Sequence, residues 1–429
     1  MEKNRSGIVK LFPNLRTKVV PSETSNEIRS FHLLPYSEGS ISEILYHHEP
    51  FRLNNNLVDD GIFRNFLKRL TQTGVKPKVA VIATYVDSEE RQFLTKVADS
   101  WYDFVEHLEY IDLKVPPEFR EQIVYAQDTC IALSSQRPLA ILSHSKRYLK
   151  SGEFMSKLEE LLSRCGIQII QVETIYSLEG GHVFPTSKLV FISDPDDRKI
   201  IKYFKQEALF VQSLLCKLYL PVYLMLNTNL DVDDIDAEWC EGQDHVDLIL
   251  SVLEREDSFD VFYAEFQRTF DFFEGDTGHI YSSNSAYIQQ FFAHFFDEYD
   301  QQMNRLIKQI RSKVKDAKFH RMPSIVGFKK SSENFWMPYV YSGANLLFHS
   351  THEKDYAFYL EYAQEIDGAT RPINKELEKN LKNAGIAPVP ISGDVEMVNY
   401  YHTLRGAGLR CLVKVLTRNA KSEERVANR

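Results

Sequence analysis

Five residues in four widely separated stretches carry side chains with distinct chemical uses. They are Asp128 in Gln127-Asp128-Thr129, Glu179 in Glu179-Gly180-Gly181, His245 and Asp247 in His245-Val246-Asp247, and Cys411 in the glycine-flanked run that starts at Arg405. A thiolate is the strongest ordinary side-chain nucleophile near neutral pH. A histidine transfers protons in the same range. A carboxylate in an apolar frame, as at Asp128 between Ile123-Val124-Tyr125 and Ile131-Ala132-Leu133, is costly unless paired. A guanidinium is a fitting partner, because its fork of donors takes a carboxylate through two hydrogen bonds. In this order the set points to attack by a thiolate on a guanidinium carbon.

Taken singly, each piece has a plainer reading. Cys411 precedes the apolar run Leu412 to Leu416 and could be a buried, inert cysteine at the start of a final strand. Gly408 lets the backbone turn tightly and approach a ligand. If His245 and Asp247 lie in an extended stretch they share one face, but a lone histidine also serves as a structural hydrogen-bonding group. Glu179-Gly180-Gly181 could be a simple turn. Cys240 and His245 lack two further ligands at zinc spacing, so no metal is expected. The acidic stretch Asp231 to Asp236 lacks the turn glycine and terminal glutamate of a calcium loop and reads as a solvated loop. Cys130, Cys165, Cys216 and Cys240 sit in apolar or helical contexts and read as inert.

The elements that must position these groups alternate between short strands and helices, an α/β pattern. Helix is predicted around Ile62 to Leu70, over Ser88 to Leu108, over Ser151 to Cys165 with Gly166 as its stop, and around Arg198 to Leu215. Strands are predicted at Val79 to Tyr85, Leu139 to Leu142, Ile167 to Ile170, Leu189 to Ile192, Val222 to Leu226, Leu248 to Leu253, Val261 to Tyr263 and Tyr339 to Phe348. Ser285 to Val314 repeats apolar and aromatic residues at helical spacing, either as a core-packing helix or as a lid or partner-binding insertion. No repeat of fixed period is visible.

The chain has 429 residues, is 43% hydrophobic and 26% charged, and carries a formal net charge of -9. This is an ordinary globular composition, and its acidity argues against nucleic acid as a partner. No apolar stretch approaches the length of a membrane span, and the N-terminus has no apolar core after its charges. Five cysteines with no CxxC pair argue for reduced thiols and a cytoplasmic setting, with signal-independent secretion left open.

Together the motifs resemble those of the pentein superfamily of guanidine-modifying enzymes, and among them most those of the arginine and agmatine deiminases. These carry Arg-Asp-Thr/Ser, Glu-Gly-Gly-Asn/Asp, His-x-Asp and Gly-Gly-Gly-x-x-Cys in the same order. The match runs motif by motif over about Lys78 to Val415, and Tyr339 to Phe348 is similar to a family strand that carries an asparagine, here Asn345. The resemblance implies a five-bladed pseudosymmetric α/β propeller with a helical insertion at about 285–318. The catalytic domain would span 73–416, after an N-terminal extension 1–72 of unknown role and before a flexible tail 417–429. Cys411 would be the nucleophile, His245 the proton-transfer group and Glu179 its orienting partner. Asp128 and Asp247 would clamp the guanidinium, with Gly408, Arg405 and Arg410 as further substrate-binding positions. No cofactor is implied.

The partner would be a small guanidino compound or a protein arginine, with neither nucleic acid nor membrane involved and the oligomeric state open. Hydrolysis to a ureido group and ammonia is the leading expectation. Amidino transfer to an amine, or guanidine binding without catalysis, are the alternatives. Four departures from the family pattern, Gln127, Cys130, His182 and Ala407, surround the site and point to altered substrate handling.

Overall fold

The computed structural model describes residues 32–35, 39–53, 56–59, 61–120, 125–134, 138–142, 152–170, 181, 183–192, 213–215, 226–227, 246–267, 285–330, 335–362, 370–394, 398 and 408–419. The chain begins with β1 (His32–Leu33), β2 (Ser40–His48) and a small hairpin, β3 (Phe51–Leu53) and β4 (Asn56–Val58). Helix α1 (Ile62–Thr71), β5 (Lys78–Tyr85), α2 (Ser88–Asp99) and β6 (His107–Lys114) follow. Next come β7 (Cys130–Ser134), β8 (Leu139–Leu142), α3 (Gly152–Arg164) and β9 (Gln168–Ile170). They lead to β10 (Val183–Pro185), β11 (Val190–Ile192), β12 (Ser213–Leu215) and β13 (Leu226–Asn227). The second half holds β14 (Leu250–Glu254), β15 (Phe259–Gln267), α4 (Ser285–Lys313), β16 (Ala317–Lys330) and β17 (Phe335–Tyr341). It ends with β18 (Leu347–Ser350), β19 (Asp355–Leu360), α5 (Thr370–Asn383), β20 (Ala387–Ile391) and β21 (Val413–Asn419).

Among the described residues, five sheets of three or more strands share one connectivity. In each, two strands pair antiparallel and the second then pairs parallel with a later strand: β7-β8-β9, β10-β11-β12, β14-β15-β16, β18-β19-β20 and β21-β2-β5. A parallel neighbour needs a crossover, and α3, α4, α5 and α1 supply it in four of the five. The repeat lies in topology rather than in period, since the crossovers differ in length.

The fifth sheet is built from both ends of the chain. β2 lies between β21 and β5, and its residues Ser40, Ile41 and Glu43–His48 are buried. β2 and α1, on the N-terminal side of residue 73, belong to this sheet and its crossover. β5 is buried from Val79 to Thr84 with parallel partners on both sides, as its unbroken apolar run requires. Pro388 and Pro390 sit in β20, at the edge of its sheet, where a missing N–H costs no ladder bond.

Three expectations change. The helix expected over Ser88 to Leu108 stops at Asp99. Ser100 N and Trp101 N bond three residues back to Val97 O and Ala98 O, and the buried Trp101 ring meets Phe63 edge-on at 5.0 Å. Tyr102–Phe104 form a separate short turn, and only from His107 does the chain enter β6, which pairs with β5. The strand expected over Tyr339 to Phe348 is interrupted by a turn at 342–346. Residues 213–215, expected to end a helix, are strand, and the rest of that helix lies outside the described residues.

Helix α4 matches its expectation in extent. Tyr299, Met303, Leu306 and Ile310 pack into the core formed with β14 to β16, and Tyr299 Oη donates to Ala264 O at 2.6 Å. Over this half it is a core helix. Among the described residues, no helix is long and apolar enough to cross a membrane.

Two buried histidines make stability depend on pH. His349 Nδ1 accepts from Ile41 N at 3.0 Å, so the neutral ring carries its proton on Nε2, 3.1 Å from Thr73 Oγ1. Burial, with Arg418 nearby, pushes its pKa down to about 3. Burial, with His47 nearby, does the same to His48, also to about 3. The folded state therefore binds fewer protons than the unfolded state between about 3 and the ordinary 6.5. Stability is fully present above pH 6.5 and falls as the pH drops toward 3, by about 2 kcal/mol per histidine at about pH 5. Denaturant titrations across this range should show the slope, and His349→Asn should reduce it by about half, His48 supplying the rest. An unchanged slope in that variant would remove His349 from the account.

Candidate active site

In each of the five sheets the first strand of the antiparallel pair follows a turn or segment that the sequence had singled out. Asp128 lies in the one-turn helix Ala126–Thr129, directly before β7, and its N–H bonds back to Tyr125 O at 3.0 Å. Gly181 lies two residues before β10. The turn Val246–Leu248 leads into β14, with Ile249 N bonded to Val246 O at 3.0 Å. Asn345 lies two residues before β18, with its N–H on Ser342 O at 3.2 Å. Cys411 lies in the one-turn helix Leu409–Leu412 before β21, with its N–H on Gly408 O at 3.1 Å.

Contacts between these turns run in a closed cycle. Gly181 N donates to Asp128 Oδ1 at 3.1 Å, joining the first turn to the second. Strand β10 packs against the Val246–Leu248 turn. Ser342 Oγ donates to Leu248 O at 2.6 Å, joining the third to the fourth. Asn345 Nδ2 donates to Cys411 Sγ at 3.4 Å, and Asn345 Oδ1 accepts from Arg410 N at 2.9 Å, joining the fourth to the fifth. The Leu409–Leu412 turn packs on the Ala126–Thr129 turn and returns to the start. Across the cycle, the Arg410 guanidinium carbon stacks 4.0 Å from the centre of the Phe184 ring.

The polar groups gathered here are deeply buried: Asp128 is 1% exposed, Asn345 2%, and Arg410 and Cys411 3% each. Charges interact more strongly in such a place than in water. A buried carboxylate anchored by a backbone N–H, a thiol receiving an amide N–H, and a stacked guanidinium together form a polar centre inside an apolar frame. Such a centre can hold a small cation against a nucleophile.

Of the residues expected at the site, the structure brings together Asp128, Gly408, Arg410 and Cys411, and adds Gly181 of the Glu179 motif. Glu179, His245 and Arg405 lie outside the described residues, as do His182, Ala407, the stretch Asp231 to Asp236 and the side chain of Asp247. The backbone of Asp247 lies in a helical turn, so the expected sharing of one face with His245 by strand alternation does not apply. Asn345 was not counted among the site residues. Its signal was present in Ser342-Gly343-Ala344-Asn345, a small-residue turn inside an apolar run, but it read as continuous strand.

Burial pushes the Cys130 thiol upward and that of Cys165 to about 12, so neither is poised as a thiolate. Cys216 and Cys240 lie outside the described residues. Among the described residues, no group of three or more His, Cys, Asp or Glu is placed to hold a metal ion.

No protein-family model matches the chain, and no curated protein matches it by sequence. Solved structures do match. The agmatine deiminase of Enterococcus faecalis superposes with a TM-score of 0.54 at 12% identity, over 91% of this chain and 96% of that one. The agmatine deiminase of C. jejuni gives 0.51 at 10% identity, over 91% and 97%. A candidate arginine deiminase from Porphyromonas gingivalis gives 0.50 at 12% identity, over 90% and 98%. These are pentein structures, and the chain shares their fold, an α/β architecture of mixed sheets.

Proposed function

We propose that this chain is a hydrolase that deiminates a guanidino group through a covalent intermediate on Cys411. The observation that carries the reading is the closed cycle of turns, which brings Asp128, Gly181, Asn345, Arg410 and Cys411 to one buried centre. The five sheets of common connectivity are read as the five blades of a propeller around that centre. Strand β2 completes the fifth, so the catalytic unit extends to the N-terminal side of residue 73.

The chemistry follows from the residue types. A guanidinium is delocalised and always charged, and therefore a poor electrophile until it is fixed in place. Asp128 and Asp247 hold its nitrogens. The Cys411 thiolate attacks the guanidinium carbon and forms a C–S bond. His245, oriented by Glu179, gives a proton to one nitrogen, the C–N bond breaks, and ammonia leaves a thiouronium adduct. His245 then takes a proton from water, whose oxygen adds to the same carbon. The C–S bond breaks, returning the thiolate, and the hydroxyl proton on the same carbon passes to the released ammonia or to solvent as the neutral ureido product leaves. Arg410, cationic and next in sequence to the nucleophile, suits a substrate that also carries a carboxylate. A cytoplasmic setting keeps the nucleophile reduced.

The test is intact-mass spectrometry after acid quenching with arginine, agmatine, methylarginines and an arginine peptide, beside assays for ammonia and ureido product. An adduct on Cys411 with ammonia release is the expected result. An adduct that clears only when an amine is supplied would replace hydrolysis by amidino transfer. The absence of both adduct and ammonia with every compound would overturn the reading.

A further inference from the structure

We propose that Asn345 is the positioning residue of the nucleophile: its amide donates to Cys411 Sγ and stabilises the thiolate, and position 408 is glycine because the Asn345 side chain occupies the space a Cβ would fill. The chemical meaning of the proposal rests on the deiminase reading, but its geometry does not.

Three observations converge. First, the orientation of the Asn345 amide is fixed. Oxygen and nitrogen of an asparagine are normally assigned from the surrounding network. Here Arg410 N is a backbone N–H and can only donate, so the atom 2.9 Å from it is Oδ1. Nδ2, a donor, is thereby turned to Cys411 Sγ at 3.4 Å. Second, the amide bonds two consecutive residues of the nucleophile's turn, the backbone of Arg410 and the side chain of Cys411. It therefore sets both where the thiol stands and which charge state is favoured. A hydrogen bond to the charged form lowers a thiol's pKa. Third, a Cβ built on Gly408 would lie 2.4 Å from Asn345 Cγ and Oδ1 and 2.8 Å from its Cβ. Asn345 is 2% exposed, so its side chain has little room to give way.

Asn345 is held in its turn. Its N–H bonds to Ser342 O at 3.2 Å, and Ser342 Oγ is anchored on Leu248 O at 2.6 Å. The adjoining residues are fixed by Ser251, whose Oγ donates to Ala344 O at 2.6 Å and accepts from Leu346 N at 3.3 Å. The donor is thus presented by a backbone that two other elements hold, as preorganisation requires.

The experiment titrates the ultraviolet thiolate absorbance, taken as the difference between each protein and its Cys411→Ser counterpart, and needs no substrate. In Asn345→Ala the Cys411 midpoint should rise by about 1–2 pH units, the loss expected for a hydrogen bond to a charged group. Gly408→Ala, which displaces the amide without removing it, should raise the midpoint in the same direction. A purely structural role would lower the denaturation midpoint of Asn345→Ala and leave the thiol titration where it was; that outcome overturns the proposal. Should Asn345→Ala not fold, Asn345→Asp keeps the shape and the acceptor for Arg410 N and turns a carboxylate oxygen to the thiol in place of the donor, so that lost donor and added charge both push the midpoint upward. An unchanged titration there overturns it equally. A wild-type protein that turns over no guanidine, with a shifted titration in Asn345→Ala, would end the deiminase reading and leave this one standing.

Discussion

Replacing Cys411 with alanine should lower turnover of any guanidino substrate by at least about 10⁴-fold, because the covalent route loses its nucleophile. The two other described cysteines do not compensate. Cys130 and Cys165 have thiols raised by burial, the latter to about 12. The fold should survive. Cys411 is buried in a one-turn helix before β21, and loss of one sulfur leaves a small cavity, costing on the order of 1 kcal/mol. Binding of the guanidinium should survive as well, since the carboxylate of Asp128 is untouched. The diagnostic is therefore a split: a near-native denaturation midpoint, near-native affinity for agmatine or arginine, and neither ammonia nor adduct. Retained turnover in the folded variant would sink the mechanism. Loss of affinity together with turnover would mean that the thiol holds substrate rather than attacks it.

The residues that the structure gathers were more legible in the sequence than the architecture that gathers them. Asp128, Gly408, Arg410 and Cys411 could be named because each has an uncommon side chain or flanking glycines in a recognisable order. Their convergence could not be read, because it depends on contacts across separations such as that between Asp128 and Gly181 or between Asn345 and Cys411. The single helices α1, α3 and α4 were legible from apolar periodicity, and Gly166, with φ of 76°, marked the end of α3. The connectivity that five sheets share among the described residues left no sequence period, since the crossovers differ in length, and the expectation of five blades came from the resemblance alone. The N-terminal residues showed only scattered strand-like fragments, and the place of β2 was hidden for a related reason. β2 gains its place only by pairing with β21, more than three hundred residues later, and with β5. Asn345 was noted only as part of a strand, because a turn of small residues between two apolar runs looks like one strand. A ladder broken at Tyr341 and resumed at Leu347 is visible only once the partners of β17 and β18 are known to lie in different sheets.

Asp128→Asn should weaken binding of cationic guanidines by roughly 30-fold to several thousand-fold, the range for removing one partner of a buried, hydrogen-bonded charge pair. The substitution is nearly isosteric, and the asparagine oxygen can still accept from Gly181 N, as Asp128 Oδ1 now does at 3.1 Å. The link between the first and second turns is therefore kept, and stability should change little. What is lost is the negative charge, at a position only 1% exposed, where water screens little of it. The consequence is selective. A cationic guanidine should lose affinity, whereas a neutral ureido product of the same shape should lose much less. Calorimetric titration of the Cys411→Ala background with a guanidine and with its ureido product would separate the two effects, since no turnover intervenes. Equal losses for both would mean that Asp128 shapes the pocket without reading charge. Unchanged affinity for the guanidine would mean that its cation sits elsewhere. Asp247 would then be the remaining candidate clamp, and the same pair of titrations on Asp247→Asn would locate it.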